Sequence, residues 1–407
     1  VRFSSLVDRI GGRGADAWTL HFQALEQRSR GRDVILLTVG DPDQGPPGKV
    51  IEATIDALRA GKCGYAPVAG LPELRAAIAA RMAGTTGRDC TAENVVVVPG
   101  AQAGLFSALH LVAGPGDEVI VPEPIYATYE AVIGACDATM VTVPLSPERN
   151  FHPDPDTVAR AITPRTRAIW INNPHNPTGA VLSRPELEAI AELCRRHDLW
   201  LIADEVYATL TYARPPVSVW SLDGMRDRAI VVSSLSKSHA APGFRLGWMI
   251  ADPLVAGHMF NLLLCMTYGG PPFIQEGALA AVAADLPEAL AMNGIYRRRA
   301  ARLVSGLAGA PGCRALSPEG GMFVLLDIRQ SGLSSKDFAE RLLEREGVAA
   351  LSCDGFGPSV AGHLRLSLTV PDDALDEAGR RIVRFARSLV RRAGCSQSPT
   401  SGVRTVL

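Results

Sequence analysis

Ala168-Ile169-Trp170-Ile171-Asn172-Asn173-Pro174-His175-Asn176-Pro177-Thr178-Gly179 and, after a helical pattern from Pro185 to His197, Trp200-Leu201-Ile202-Ala203-Asp204 decide the fold. Each stretch opens on four apolar residues with no polar alternation, which reads as a strand buried on both faces. A turn rich in Asn, Pro and Gly follows the first, then a helix, then the second. This is the strand–helix–strand unit of a parallel sheet. Val95-Val96-Val97-Val98, Glu118-Val119-Ile120-Val121 and Ala229-Ile230-Val231-Val232 repeat the signal on either side. The expectation is an α/β fold whose strands run into turns at their carboxyl ends, where open sheets of this kind bind ligands.

From about Asn293 the rhythm changes. A basic helix around Tyr296-Arg297-Arg298-Arg299 precedes Gly320-Gly321-Met322-Phe323-Val324-Leu325-Leu326, a helix, the strand His363-Leu364-Arg365-Leu366-Ser367-Leu368 and a last helix ending near Arg392. We expect a large, mostly parallel-sheet domain over 45–292 and a smaller α+β domain from 1–44 with 293–394. Residues 395–407 read as a polar tail. Two domains suit a chain of 407 residues.

Lys plus Arg (41) nearly equal Asp plus Glu (42), which leaves no basic field for nucleic acid or anionic lipid. No run of about eighteen apolar residues is present, so no membrane span is expected. Val1-Arg2-Phe3-Ser4-Ser5 does not open the apolar core of a secretory leader. Eight cysteines stand at gaps of 27 residues or more, a spacing that suits neither a metal site nor a disulfide framework. A reducing, cytoplasmic setting is the expectation. Gly11-Gly12-Arg13-Gly14 precedes no strand and lacks dinucleotide spacing.

The chemistry concentrates in Ser233-Ser234-Leu235-Ser236-Lys237-Ser238-His239 and Pro242-Gly243-Phe244-Arg245-Leu246-Gly247. Small residues leave room for a bulky group beside the Lys237 amine. Ser234 and Ser236 can donate to a phosphate, and Arg245 supplies a two-pronged clamp. A desolvated lysine amine suits condensation with an aldehyde. Read alone, Lys237 is equally a surface lysine in a Ser-rich turn. Asp204, at the end of a strand, can pair with a pyridinium nitrogen, and Tyr207 can donate to a phenolic oxygen. The plain alternative is a helix-capping carboxylate and a core tyrosine. Asn176, between prolines, is placed for the same phenolic oxygen or belongs to an ordinary turn. Gly100-Ala101-Gln102-Ala103 opens a helix whose backbone amides can face an anion.

Together these motifs resemble the fold-type I, class I/II pyridoxal-phosphate-dependent aminotransferases, over nearly the whole chain. The resemblance implies pyridoxal 5'-phosphate as cofactor, with Lys237 both its attachment point and the proton shuttle of a ping-pong reaction. It implies that Asp204 pairs with the ring nitrogen, that Asn176 and Tyr207 bind the phenolic oxygen, and that Tyr126 stacks on the ring. Gly100, Ala101, Gln102, Ser234, Ser236 and Arg245 would bind phosphate. Arg365, Gly40 and Asn176 would hold the substrate carboxylate. Tyr65, in Gly64-Tyr65-Ala66-Pro67, would reach the phosphate of a neighbouring subunit, which implies a homodimer with shared sites.

Within the family, the nearest likeness is to bacterial arginine–pyruvate transaminases, through Asn173-Pro174-His175-Asn176-Pro177, Ser236-Lys237-Ser238-His239 and Gly320-Gly321-Met322-Phe323. Gln44 departs from the Phe usual after Asp41-Pro42-Asp43, and Phe244 stands where Trp is common. The implied substrates are an L-amino acid, arginine or a related guanidino acid, and a 2-oxo acid such as pyruvate. Asp41, Asp43, Glu123 and Glu319 are candidate acids for the substrate cation, with Gln44 as a neutral acceptor. A C–S β-lyase, an amino-acid oxidase and a non-catalytic cofactor-binding module of a regulator are the alternatives.

Overall fold

A computed structural model describes residues 1–11 and 18–395. Most of the Gly11–Gly14 stretch and the expected tail beyond Cys395 lie outside the described residues. In chain order the strands are β1 (Ile35–Leu37), β2 (Val95–Val98), β3 (Glu118–Glu123), β4 (Thr139–Pro144), β5 (Thr166–Asn172) and β6 (Trp200–Asp204). Then come β7 (Ala229–Ser234), β8 (Gly247–Ile250), β9 (Arg314–Leu316), β10 (Phe323–Asp327), β11 (Val348–Ser352) and β12 (His363–Ser367).

The larger sheet runs β2-β8-β7-β6-β5-β3-β4, and β8 alone is antiparallel to its neighbours. The apolar runs make sense here. Ile169, Ile171, Leu201, Ala203 and Val231 face one core, while Trp170, Ile202, Ile230 and Val232 face another. The central residues of these strands meet apolar packing on both faces, so no polar position interrupts the apolar runs.

The helix Arg184–His197 covers the first face with Leu187, Ile190, Ala191 and Cys194, a helical stripe. Ser183 and Glu186 form a capping box at its start, and Asp198 ends it in a left-handed conformation at φ 53°. The helix Gly100–Val112 covers the second face through Leu105, Ala108 and Leu109. Truncating Leu187 to Ala in such packing costs about 2–5 kcal/mol.

The second sheet runs β1-β11-β12-β10-β9, with β1 parallel to β11 and the other pairs antiparallel. The helices Pro287–Leu307 and Asp372–Cys395 pack against it. The first runs unbroken through residue 292, and the second continues past Arg392. A bridge between Thr211 and Gly320 joins the region after β6 to the approach to β10. Among the described residues no single helix is long and apolar enough to cross a membrane.

Candidate active site

The parallel strands deliver their carboxyl ends to one edge. Asn172 ends β5, Asp204 ends β6, Ser234 ends β7, and Gly100 begins the helix just after β2. A cavity of about 180 Å³ opens there, lined by Ala101, Gln102, Tyr126, Asn176, Asp204, Tyr207, Ser234, Ser236, Lys237 and Arg245. Ten of the twelve expected cofactor-binding residues thus converge on one space. A larger cavity of about 580 Å³ lies beside Glu205, walled by side chains such as Met82, Val217 and Trp248. It holds neither Lys237 nor Asp204, so the chemistry belongs to the smaller one.

At one pole Arg245 adopts φ 50°, and its guanidinium lies against Gly100. A Cβ on Gly100 would stand 2.5 Å from Arg245 Nη2, and Gly100 itself has φ 79°. Only glycine satisfies both conditions. Arg245 Nη1 donates to Pro242 O at 2.9 Å, leaving other N–H groups for a ligand. The Ser234 hydroxyl accepts from Ser236 N at 3.3 Å and retains its own proton to donate.

At the other pole stands Asp204. Tyr129, which the sequence reading did not single out, donates to Asp204 Oδ2 at 2.6 Å. Val206 N donates to Oδ1 at 3.2 Å, so Asp204 caps its own turn as well as facing the cavity. Burial pushes its carboxyl up to about 6, with the Tyr129 hydrogen bond pulling the other way. Asn172, also unanticipated, donates to Asp204 O at 3.0 Å and accepts from Asn176 N at 2.7 Å, which ties the turn after β5 to the end of β6.

Lys237 sits between the poles, and its Nζ donates to Gly40 O. Burial pulls its ammonium down to about 8, against the pull of nearby Asp41. A substantial neutral fraction near neutral pH is what a nucleophilic amine needs. Gly40 is required where it is, since a Cβ there would lie 2.5 Å from the Phe323 ring.

Arg365 is 2% exposed, so it is no surface strand charge. Its guanidinium lies 4.1 Å from the Phe323 ring centroid and 5.1 Å from that of Phe356. Nη1 donates to Asn176 Oδ1 at 3.0 Å and Nη2 to Thr38 O at 2.6 Å, while Nε has no partner. No carboxylate of the described residues pairs with it. A buried guanidinium without a counter-ion costs several kcal/mol, a cost that an anionic group brought by a ligand would offset.

The candidate acids separate. Asp43 is held by Arg299 through two hydrogen bonds of 2.7 and 2.8 Å, and Glu319 binds Arg214 at 2.6 Å. Glu123 is buried and accepts from Ser359 N at 3.0 Å. Asp43 and Glu319 are thus paired with arginines of the chain, while Glu123 takes a single main-chain donor. Asp41 is exposed and adjoins the Gly40 carbonyl that holds Lys237. Gln44 donates to Asp43 Oδ1 at 3.1 Å, while its Oε1 is buried without a partner. Tyr65 does not line the cavity; it is 89% exposed, with its ring 5.2 Å from that of Tyr268.

Residues 32–382 match the family model described as aminotransferase class I and II. An arginine–pyruvate transaminase of Pseudomonas aeruginosa is 49% identical over 393 residues, covering 97% of this chain and all of that one. The aspartate/prephenate aminotransferase of Thermus thermophilus is 37% identical over 91% of this chain and 94% of its own. The solved structure of Thermus thermophilus aspartate aminotransferase with maleate superposes with a TM-score of 0.89 at 34% identity, over 95% of this chain and 100% of that one.

Proposed function

The chain belongs to the class I and II aminotransferases, and we propose that within this family it takes the amino group from arginine or a closely related guanidino amino acid and passes it to pyruvate. That it is a pyridoxal-phosphate enzyme exchanging an amino group between an amino acid and a 2-oxo acid follows from the family. The cavity fits the cofactor. It has hydroxyl, arginine and helix-terminal donors at one end, a buried carboxylate at the other and a lysine between. When bound, the cofactor supplies a ring that accepts the electrons of the breaking α-C–H bond.

The chain's own residues do the rest. In this reading Ser234, Ser236, Arg245 and the backbone of Gly100, Ala101 and Gln102 anchor the phosphate. Asn176 and Tyr207, which both line the cavity, take the phenolic oxygen, and Tyr126 covers the ring. Asp204 holds the ring nitrogen's proton. Arg365 grips the substrate carboxylate, with Gly40 and Asn176 beside it, and aligns the α-carbon over Lys237. Lys237 Nζ then takes the α-proton and returns a proton to the cofactor side. The observation that carries this role for Arg365 is its burial without a carboxylate.

Tyr65 supports a homodimer with composite sites, because an aromatic side chain this exposed is the kind a partner subunit covers. Residues 45–292 would form the cofactor domain, with 1–44 and 293–394 the smaller one. The seven cysteines from Cys63 to Cys353 are all free thiols, which supports a reducing compartment such as the cytoplasm.

The guanidino donor rests on the Pseudomonas relative's 49% identity over 97% of this chain, with Asp41, exposed beside Gly40, as a candidate acid for the substrate cation. A single-turnover comparison at matched donor concentration tests it, by following the cofactor's absorbance on amination. Arginine or a cyclised guanidino relative should react faster than aspartate, alanine and phenylalanine. A faster reaction with aspartate or phenylalanine than with every guanidino donor would overturn it.

A further inference from the structure

Tyr129 opens the short helix Tyr129–Ala135, is 2% exposed and does not line the cavity. Its ring packs against Trp170 with centroids 4.2 Å apart, and edge-on to Tyr126 at 5.6 Å. This packing fixes the hydroxyl's position. Its one described partner is Asp204 Oδ2 at 2.6 Å, a contact between residues 75 apart in sequence. An ionised carboxylate only accepts, so the hydroxyl donates. Among the described residues no other side chain donates a hydrogen bond to the Asp204 carboxylate, and Val206 N at 3.2 Å is its remaining donor.

We propose that Tyr129 is a positioning residue for the cofactor's ring nitrogen: its hydrogen bond sets the rotation of the Asp204 carboxylate and favours the charged form that pairs with a protonated ring nitrogen. The proposal rests on the assignment of Asp204 to that nitrogen. A carboxylate this enclosed pays heavily for its charge, and hydrogen bonds to the charged form are what offset that cost. Val206 N supplies a longer bond from the main chain, which no side-chain substitution removes. The Tyr129 hydroxyl is the shorter of the two, and one oxygen atom deletes it. The other titratable groups around the carboxylate are Lys237, Tyr126, Tyr207 and Glu205. Lys237 alone among them is a cation, and on the proposed function its amine would be taken up by the cofactor when that is bound. Holding Asp204 charged therefore falls to Tyr129 and the Val206 amide, with Tyr129 the shorter bond.

The test is magnetic resonance of enzyme reconstituted with cofactor isotopically labelled at the ring nitrogen, titrated with pH. In Tyr129→Phe the nitrogen should lose its proton at a pH lower by about one unit, a tenfold change in proton affinity from one hydrogen bond. Replacing Tyr129 with 3-fluorotyrosine, a stronger donor of nearly the same shape, should move the midpoint the other way and guards against misfolding of the Phe variant. In an Asp204→Ala background, Tyr129→Phe should add nothing. Unchanged midpoints in both Tyr129 variants, with a large shift in Asp204→Ala, would overturn the role of Tyr129 alone. No shift in Asp204→Ala would overturn the assignment of Asp204, and the proposal with it.

Discussion

Arg365 Nη1 lies 3.0 Å from Asn176 Oδ1, so the fork expected to grip the substrate carboxylate is fastened to the residue expected on the cofactor's phenolic oxygen. The carboxylate and the ring therefore register on one side chain. Arg365→Lys keeps the charge and loses the fork, so donor kcat/KM should fall by on the order of 2–3 kcal/mol while cofactor affinity holds. Asn176→Ala should weaken both. Cofactor titration of the purified variants alongside steady-state kinetics separates the two; unchanged kcat/KM in Arg365→Lys for every donor would assign the grip elsewhere.

Lys237, lowered to about 8 by burial, should capture cofactor faster as pH rises. The neutral amine is the reactive form, so the rate climbs through pH 7 and levels above about 8. Rapid mixing of cofactor-free enzyme with pyridoxal phosphate, then borohydride trapping on Lys237, reads this directly. A rate still rising tenfold per unit above pH 9 would indicate an ordinary lysine. Lys237→Ala should show no trapped adduct and no turnover.

Asp204 carries a stability cost in the cofactor-free protein. Its folded pKa, about 6, stands above the ordinary carboxylate value of 3.8, so the folded state holds this proton more tightly than the unfolded one. Stability from this group is present below about pH 4 and falls as pH rises towards 6. Asp204→Asn removes the charge and should stabilise the cofactor-free protein at neutral pH by on the order of 1–3 kcal/mol while abolishing activity. Thermal melts of both proteins from pH 4 to 8 check the sign. Equal Tm differences at both ends would mean that this carboxylate does not titrate in that window.

Composite sites predict complementation. Lys237→Ala and Tyr65→Ala subunits, each inactive or weak as homodimers, should regain activity after mixing and subunit exchange, because one site of each heterodimer is intact. Failure to regain activity, with heterodimers shown by mass spectrometry, would place Tyr65 outside its neighbour's site.

The strands legible in the sequence were those buried on both faces. Val95–Val98 was read to the residue, and β5, β6 and β7 lacked only terminal positions that carry polar site residues or flank the run. β4, with its burial alternating weakly at the sheet edge, and β8, the antiparallel member, gave no comparable run. Lys237, Asp204 and Arg245 stood out because their neighbours are small or their strands end abruptly. Tyr129 did not, since its function lies in one contact with a residue 75 positions away. Asp43 and Glu319 looked available because nothing local reveals Arg299 or Arg214 arriving from other elements.

Thr38 O receives Arg365 and Gly40 O receives Lys237, so one short run of main chain touches both the carboxylate grip and the reactive amine. Carbonyl oxygens belong to every residue type, and mutation of a side chain leaves them in place. Gly40 is barred from change by the Phe323 ring, whereas Gln44, further along the same run, spends its side-chain amide on Asp43. On the proposed roles of Lys237 and Arg365, lineages descending from one ancestor can thus exchange residue 44 and try new amino donors while both main-chain contacts are inherited untouched.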